Sequence, residues 1–351
     1  METLYIINPS KQASVLLKRM VQAVSSSFSK IEEVSSLSDT KDLRNKKILF
    51  SVQLNEAGFC TEMDKFLCKL WSKDKDSLVG SSAVIVIHCP NELFTKTYAQ
   101  NVILHANMLG CSFMGRPLVE ATAGLSNFLV LQKTIPKPLD RVCITLCEDL
   151  GARFRLFNPK LIDHPKIAVL HSSNFKTSNT MMLWKMVEEQ LEGYNISRHH
   201  IENGAVKDCI GCSFTTCLHY GQQKSCFYGG IMIEEIYPAI LSSDALIFLC
   251  PNYNDNLSAN ISAVINRLTA LYRTTKFYEK TVFSVIVSGN SGSDALAKQL
   301  ISGLNINKTF RLPPYFFISA TANDTGTVLK IDGIEEKARA FAENIKKEIK
   351  K

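Results

Sequence analysis

Lys166-Ile167-Ala168-Val169-Leu170-His171-Ser172-Ser173-Asn174-Phe175-Lys176-Thr177-Ser178-Asn179-Thr180-Met181 is the stretch that decides the fold class. Residues 167–170 form a short apolar run, the composition of a parallel strand buried on both faces. A loop of hydroxyls and amides follows. Residues 181–191 then place Leu183, Met186, Val187 and Leu191 at helical spacing. Strand, polar loop and helix in succession are the repeating unit of a doubly wound α/β sheet.

The same pattern recurs in both directions. Further buried strands are expected at 4–7, 47–52, 83–88, 245–249 and 282–287, and amphipathic helices over Ala259–Tyr272 and Ile334–Ile349. The chain has 351 residues, enough for two domains of ordinary size. Its halves look alike. His88-Cys89-Pro90-Asn91 closes one expected strand and Leu249-Cys250-Pro251-Asn252 closes another. Each half also opens on a strand running into a polar loop, Asn8-Pro9-Ser10-Lys11 in one and Ser172 to Lys176 in the other. The expectation is two tandem α/β domains with parallel sheets, 1–150 and 166–351. They would be joined by a linker at 151–165, preceded by a last strand at 141–146.

Hydrophobic residues make up 46% of the chain and charged residues 21%, the balance of a globular protein. The net charge of +7 is spread out. Its densest basic stretch, Lys346-Lys347-Glu348-Ile349-Lys350-Lys351, suits the end of a last helix better than a nucleic-acid patch. The start, Met1-Glu2-Thr3-Leu4-Tyr5-Ile6-Ile7, lacks the basic region and apolar length of a signal peptide. No run reaches the roughly 18 apolar residues that span a bilayer. These features predict a cytoplasmic protein with neither a membrane nor a nucleic acid as partner. The 11 cysteines are then reduced thiols, redox groups or metal ligands.

Three loops carry the candidate site. The first holds Ser173, Lys176, Ser178, Asn179 and Thr180 before a helix, where free N–H groups and the dipole attract an anion. Plain capping by Ser178 or Asn179 explains part of the same composition. A Walker loop and a G-x-G-x-x-G fingerprint are both absent from it. The second loop carries Pro251, Asn252, Tyr253, Asn254 and Asn256, an aromatic among amides that can flank a planar ring. The third, Ser288-Gly289-Asn290-Ser291-Gly292-Ser293, lets a ligand approach the backbone closely. Ligands of open α/β sheets bind at the carboxyl ends of the strands, where all three loops would lie.

From Lys166 onward the chain resembles the NAD(P)H-dependent FMN reductases and the related iron–sulfur flavoproteins, which share the flavodoxin-like fold. Ser173, Ser178, Asn179 and Thr180 match the family's first loop, G-S-P-R-x-x-S-N-T, while Phe175 stands in place of its arginine. Pro251, Tyr253, Ser258, Ala259 and Arg267 match its second marker. Asn260, Ser262 and Asn266 depart from it. The resemblance implies bound FMN and an NAD(P)H oxidoreductase that passes electrons to a small acceptor. The family often dimerises, which implies a homo-oligomer or, in a tandem chain, an internal pseudo-dimer. The N-terminal half, with Glu92 where Tyr253 stands, resembles a flavodoxin-like domain without a flavin.

Cys209, Cys212, Cys217 and Cys226 are the densest thiol group, spaced C-x2-C-x4-C-x8-C. Free thiols, a [4Fe–4S] cluster, zinc or a Cys209–Cys212 redox dithiol all remain open. The family's tighter spacing and its acidic pair, replaced here by Gly229-Gly230, favour no metal. His199-His200 and His219 lack metal-ligand spacing, and Cys111 to Pro117, including Arg116, reads as a structural turn.

Overall fold

The computed structural model describes residues 3–10, 12–36, 42–173 and 176–351. These divide into two units, Met1–Asn158 and Pro159–Lys351.

The N-terminal unit is built from β1 (Thr3–Ile7), α1 (Val15–Ser25), β2 (Lys30–Val34), β3 (Lys47–Gln53), α2 (Thr61–Lys73), β4 (Ser82–His88), α3 (Thr95–Met108), β5 (Ser112–Ala121), α4 (Leu129–Gln132) and α5 (Leu139–Leu156). Its sheet runs β2-β1-β3-β4-β5 and every pair is parallel. The central strands β3 and β4 are apolar on both faces because helices cover both faces. The edge strand β2 reads Lys-Ile-Glu-Glu-Val and is mostly exposed, and charge on an edge discourages pairing with another chain.

Residues 141–146, expected as a strand, lie inside the 18-residue helix α5. The window is too short to distinguish the two periods. Over the longer segment Val142, Cys143, Cys147, Leu150 and Phe154 fall on one helical face, buried with Leu17, Met20 and Val24 of α1. Residues 151–156, expected to begin a linker, are the last turns of this helix. The stretch expected as a turn around Arg116 belongs to β5. A register shift in the β4–β5 pairing and a φ of +52° at Arg116 mark a β-bulge that absorbs Gly115-Arg116-Pro117 within the strand.

The C-terminal unit contains β6 (Lys166–His171), α6 (Asn179–Glu189), β7 (Asn195–His200), α7 (Phe214–Gln222), α8 (Tyr237–Ser242), β8 (Ala245–Pro251), α9 (Ala259–Tyr272), β9 (Thr281–Ser288), α10 (Ser293–Leu300), β10 (Phe317–Thr321) and α11 (Ile334–Ile349). Its parallel sheet runs β10-β9-β8-β6-β7. Numbered from its own first strand, each unit has the order 2-1-3-4-5, the doubly wound flavodoxin-like arrangement. Trp184 of α6 and the α11 stripe of Ala338, Phe341, Ala342 and Ile345 close one face of the sheet over Phe283 and Val285. The Phe283 and Phe341 rings meet edge to face at 6.0 Å. No helix among the described residues is long and apolar enough to cross a membrane.

The common topology corrects one detail of the sequence reading. Cys89-Pro90 follows β4, the fourth strand of its unit, whereas Cys250-Pro251 ends at β8, the third strand of the other. The matching tripeptides therefore sit on non-equivalent strands. The counterpart of the Tyr253 loop is the segment after β3, which carries Phe59. Glu92 lies elsewhere, accepting hydrogen bonds from the Gly124 N–H at 2.6 Å and the Ser126 hydroxyl at 2.8 Å.

Candidate functional site

The loop after β6 divides its hydroxyls between two tasks. Ser178 caps α6, accepting a hydrogen bond from the Met181 N–H at 3.3 Å. Ser173 Oγ is buried, with the residue 2% exposed, and has no partner among the described residues. An unmade hydrogen bond on a buried hydroxyl costs about 1–3 kcal/mol, so such an atom points to a ligand group. Lys176, later in the same loop, is exposed. Asn174 and Phe175, and with them the position of the family arginine, lie outside the described residues, as does Lys11 of the other unit.

The Asn179 side chain takes a different part from the one its place in the loop suggests. The Asn179 amide is committed to the loop after β10. Its oxygen accepts from the Gly326 N–H at 2.9 Å and its nitrogen donates to the Asp324 carbonyl at 2.9 Å. Thr180 is buried in the first turn of α6. Sequence reading misses this tie because its partners are about 145 positions away.

The loop after β8 is a tight hairpin. Tyr253 and Asn256 exchange backbone hydrogen bonds at 3.3 and 3.1 Å. Asn254 and Asp255 both have positive φ, +53° and +59°, as a type I′ turn requires. Asparagine and aspartate tolerate that conformation best after glycine. The turn leaves Tyr253 58% exposed beyond Pro251, the buried last residue of β8. Asn256 donates to the Asn254 carbonyl at 2.8 Å.

Side chains lock this loop to its neighbours. Asn252 accepts from the Asp255 N–H at 2.8 Å and donates to Ser288 Oγ at 3.1 Å and the Ser291 carbonyl at 2.9 Å. Ser288 Oγ in turn meets Ser293 Oγ at 2.8 Å, and Asn290 Oδ1 accepts from the Ser291 N–H at 2.7 Å. Gly292 has φ +93°, and a Cβ there would fall 1.9 Å from Asp255 Oδ1. A Cβ at Gly289 would fall 2.9 Å from Asn323 Oδ1. Ser172 Oγ and Ser258 Oγ meet at 2.8 Å, tying the first loop to the start of α9. The carboxyl ends of β6, β8 and β9 thus present one connected rim, with the Tyr253 ring standing out from it.

His171, the last residue of β6, is buried and stacks on His200 of β7 at 4.8 Å. Burial pushes its imidazole down to about 4 from 6.5, and the neighbouring charges of His200, Arg198 and His199 act in the same direction. The folded state therefore binds the His171 proton less readily than the unfolded chain. Its contribution to stability is complete above about pH 6.5 and declines as pH falls toward about 4, by up to about 3 kcal/mol. Urea unfolding at about pH 7 and about pH 5 should show this loss. His171→Asn should flatten the difference, and an unchanged difference in the variant would assign it to other groups.

All four clustered cysteines, free thiols in the structure, line one cavity of about 140 Å³. Arg267, the matched family residue, is buried against it. Its Nε lies 3.4 Å from Cys226 Sγ, its Nη2 donates to the Gly229 carbonyl at 2.9 Å, and Tyr228 lies 5.9 Å from its guanidinium carbon. Among the described residues, no three or more His, Cys, Asp or Glu side chains are arranged to hold a metal ion. Asn260 and Asn266 are also structural, donating to the Ile201 carbonyl and to Asp208 Oδ1, each at 2.9 Å. His199 pairs with Glu235 at 2.7 Å.

Residues 165–324 match the family model described as NADPH-dependent FMN reductase, which bears out the resemblance of the C-terminal half and supports a flavin-dependent oxidoreductase there. Similar solved structures include RosB with a bound 8-demethyl-8-formylriboflavin-5′-phosphate intermediate. It is 11% identical over 51% of this chain and 77% of that one, with a TM-score of 0.40. An FMN-dependent NADH-azoreductase from Bacillus anthracis in complex with FMN is 11% identical over 52% and 99%, with a TM-score of 0.35. An NAD(P)H:quinone oxidoreductase from Methanothermobacter marburgensis is 14% identical over 52% and 98%, with a TM-score of 0.39. No curated protein matches the chain.

Proposed function

We propose that the C-terminal unit, whose residues 165–324 match the NADPH-dependent FMN reductases, is an FMN-dependent NAD(P)H oxidoreductase that delivers electrons to a small acceptor. The observation that carries this reading is the buried hydroxyl of Ser173, without a partner among the described residues, in the loop that leads into α6. A phosphate oxygen would complete its hydrogen bonding, and the positive end of the α6 dipole favours the same anion.

Ser173 and Lys176 would hold the phosphate, with Ser178 keeping the helix start in place. The hairpin from Pro251 to Asn256 would flank one side of the ring, and Ser288, Gly289, Asn290 and Gly292 would border the other. Bound FMN supplies hydride acceptance from a nicotinamide and electron release to the acceptor. The protein supplies placement. Asn252 holds two loops in register, and Tyr253 offers an aromatic surface at the open edge. This division of labour accounts for a rim without a paired acid and base.

The test is a flavin titration. Purified protein should carry or take up FMN, and Ser173→Ala should weaken its affinity by about tenfold, the factor that one hydrogen bond of about 1.4 kcal/mol represents. NADH and NADPH oxidation with a quinone or dye acceptor then assigns the donor. Colourless protein that takes up no added FMN would end this reading.

A further inference from the structure

The four clustered thiols of the C-terminal unit share their cavity of about 140 Å³ with two guanidinium groups, those of Arg267 and Arg273. A cavity of that size holds one small organic group. We infer that it is a thiol–disulfide exchange site for a small disulfide that carries a carboxylate, with Cys209 attacking and Cys212 completing the exchange.

Arg273 supplies the anion-binding group. Its Nε is buried and has no hydrogen-bond partner among the described residues. Its guanidinium carbon lies 4.7 Å from the centre of the Phe214 ring, a contact with a ring face that leaves the in-plane Nε–H unbonded. A buried charged donor without a partner is destabilising, and a carboxylate satisfies it in the guanidinium plane. Arg267 is already committed, to the Gly229 carbonyl and to Cys226 Sγ. Asp208, next to Cys209, is committed too, its Oδ1 accepting from the Cys209 N–H at 2.7 Å and from Asn266 Nδ2 at 2.9 Å. Lys308 stands close by. Burial lowers its pKa, the Arg273 charge lowers it further, and Cys209 and Cys217 oppose both. Positive charge is therefore gathered beside the thiols.

Accessibility assigns the attacking thiol. Cys209 is exposed, whereas Cys212, Cys217 and Cys226 are half-buried, so an incoming disulfide meets Cys209 first. The Gly211 N–H donates to Cys209 Sγ at 3.4 Å, and a φ of +68° at Gly211 folds the chain back, so that Cys212 lines the same cavity. Cys212 directly precedes Ser213, which caps α7 by accepting from the Thr216 N–H at 3.2 Å. That cap fixes the start of the helix and with it the backbone at Cys212.

The exchange balances without a further reactant. The Cys209 sulfur, having released its proton to water, attacks one sulfur of the small disulfide. The old S–S bond breaks, one small thiolate leaves and takes up a proton, and a mixed disulfide forms on Cys209. The Cys212 sulfur then attacks the Cys209 sulfur, its proton passes to the second leaving thiolate, and a Cys209–Cys212 disulfide remains. The protein gives up two electrons and the small disulfide is reduced to two thiols. Neither flavin nor nicotinamide takes part, so the step stands apart from the proposed flavin chemistry.

The test treats the full chain, reduced and freed of reductant, at neutral pH with dithiodiglycolate, a dianionic disulfide, or with cystamine, a dication of similar length. Peptide mass mapping follows each cysteine with time. Cys68, the exposed cysteine of the N-terminal unit, corrects for the intrinsic reactivity of the two probes. Relative to Cys68, Cys209 should favour the dianion by about tenfold or more, the factor of one hydrogen bond between charged groups. The product should be a Cys209–Cys212 disulfide with two molecules of mercaptoacetate released, and Cys212→Ser should stop at the mixed disulfide on Cys209. Arg273→Gln should abolish the preference. No preference for the dianion at Cys209, a lasting mixed disulfide in the wild type, or an unaltered preference in folded Arg273→Gln would each overturn the proposal. The comparison of the two probes on the wild-type chain decides the matter even where a variant fails to fold.

Discussion

Gly151→Val is expected to unfold the N-terminal unit well below the wild-type melting temperature while leaving the C-terminal unit folded. Gly151 lies in α5, where a Cβ would fall 2.3 Å from the Val24 carbonyl oxygen and 2.9 Å from its carbon. The obstacle is α1 backbone, which cannot rotate away as a side chain can. Helix propensity argues the other way, since glycine inside a helix costs about 0.5–1 kcal/mol relative to alanine. Overpacking costs about 1–3 kcal/mol, occasionally more, and two helices pushed apart also lose contact along their whole seam. That seam holds Leu17, Met20 and Val24 against Val142, Cys147, Leu150 and Phe154. Packing therefore wins even for Gly151→Ala, and valine, with two further methyl groups, costs more. Hydrogen exchange of the α1 and α5 amides reads the unit directly. Alanine-variant amides as protected as wild type would show that the seam can relax at no cost.

How much of the fold could be read from the sequence depended on burial. The central strands β1, β3, β4, β6, β8 and β9 are legible because helices on both faces demand unbroken apolar runs. The edge strands escape that demand. β2 is Lys-Ile-Glu-Glu-Val and β7 is Asn-Ile-Ser-Arg-His-His, and neither shows a period that sets it apart from a loop. Helices α9 and α11 are legible to the residue because the apolar stripe is long and a Ser258 cap or Gly333 marks its start. The 141–146 window fails because six residues cannot tell alternation from one helical turn and a half. At the site, residue types reveal the three loops but not which side chains face a ligand. Asn179 reads like a phosphate ligand and serves as a tie to the β10 loop, a contact between distant positions that local pattern does not encode. Phe59 was hidden by the Cys-Pro-Asn coincidence, which aligned the wrong loops of the two units. Only the strand order restores the correspondence.

The second large effect is expected at Gly292. Gly292→Val should raise the dissociation constant for FMN by about ten- to a hundredfold, the equivalent of about 1.4–2.8 kcal/mol. The backbone there has φ +93°, a conformation in which a β-branched residue is strained. The added Cβ would fall 1.9 Å from Asp255 Oδ1 and 3.0 Å from Asn252 Nδ2, the amide that joins the hairpin after β8 to the loop after β9. Relieving that overlap breaks the Asn252 bonds to Ser288 Oγ and the Ser291 carbonyl, each worth about 0.5–1.5 kcal/mol. The strands beneath are unaffected, because β8 and β9 pair over seven residues from Ala245–Thr281 to Pro251–Val287. The loss should therefore appear in ligand affinity more than in melting temperature. A fluorescence titration of flavin-free protein measures it. If Gly292→Val binds FMN as tightly as wild type, the rim formed by Asn252, Asp255 and Gly292 does not border the ring, and the flavin contacts must lie with the first loop alone.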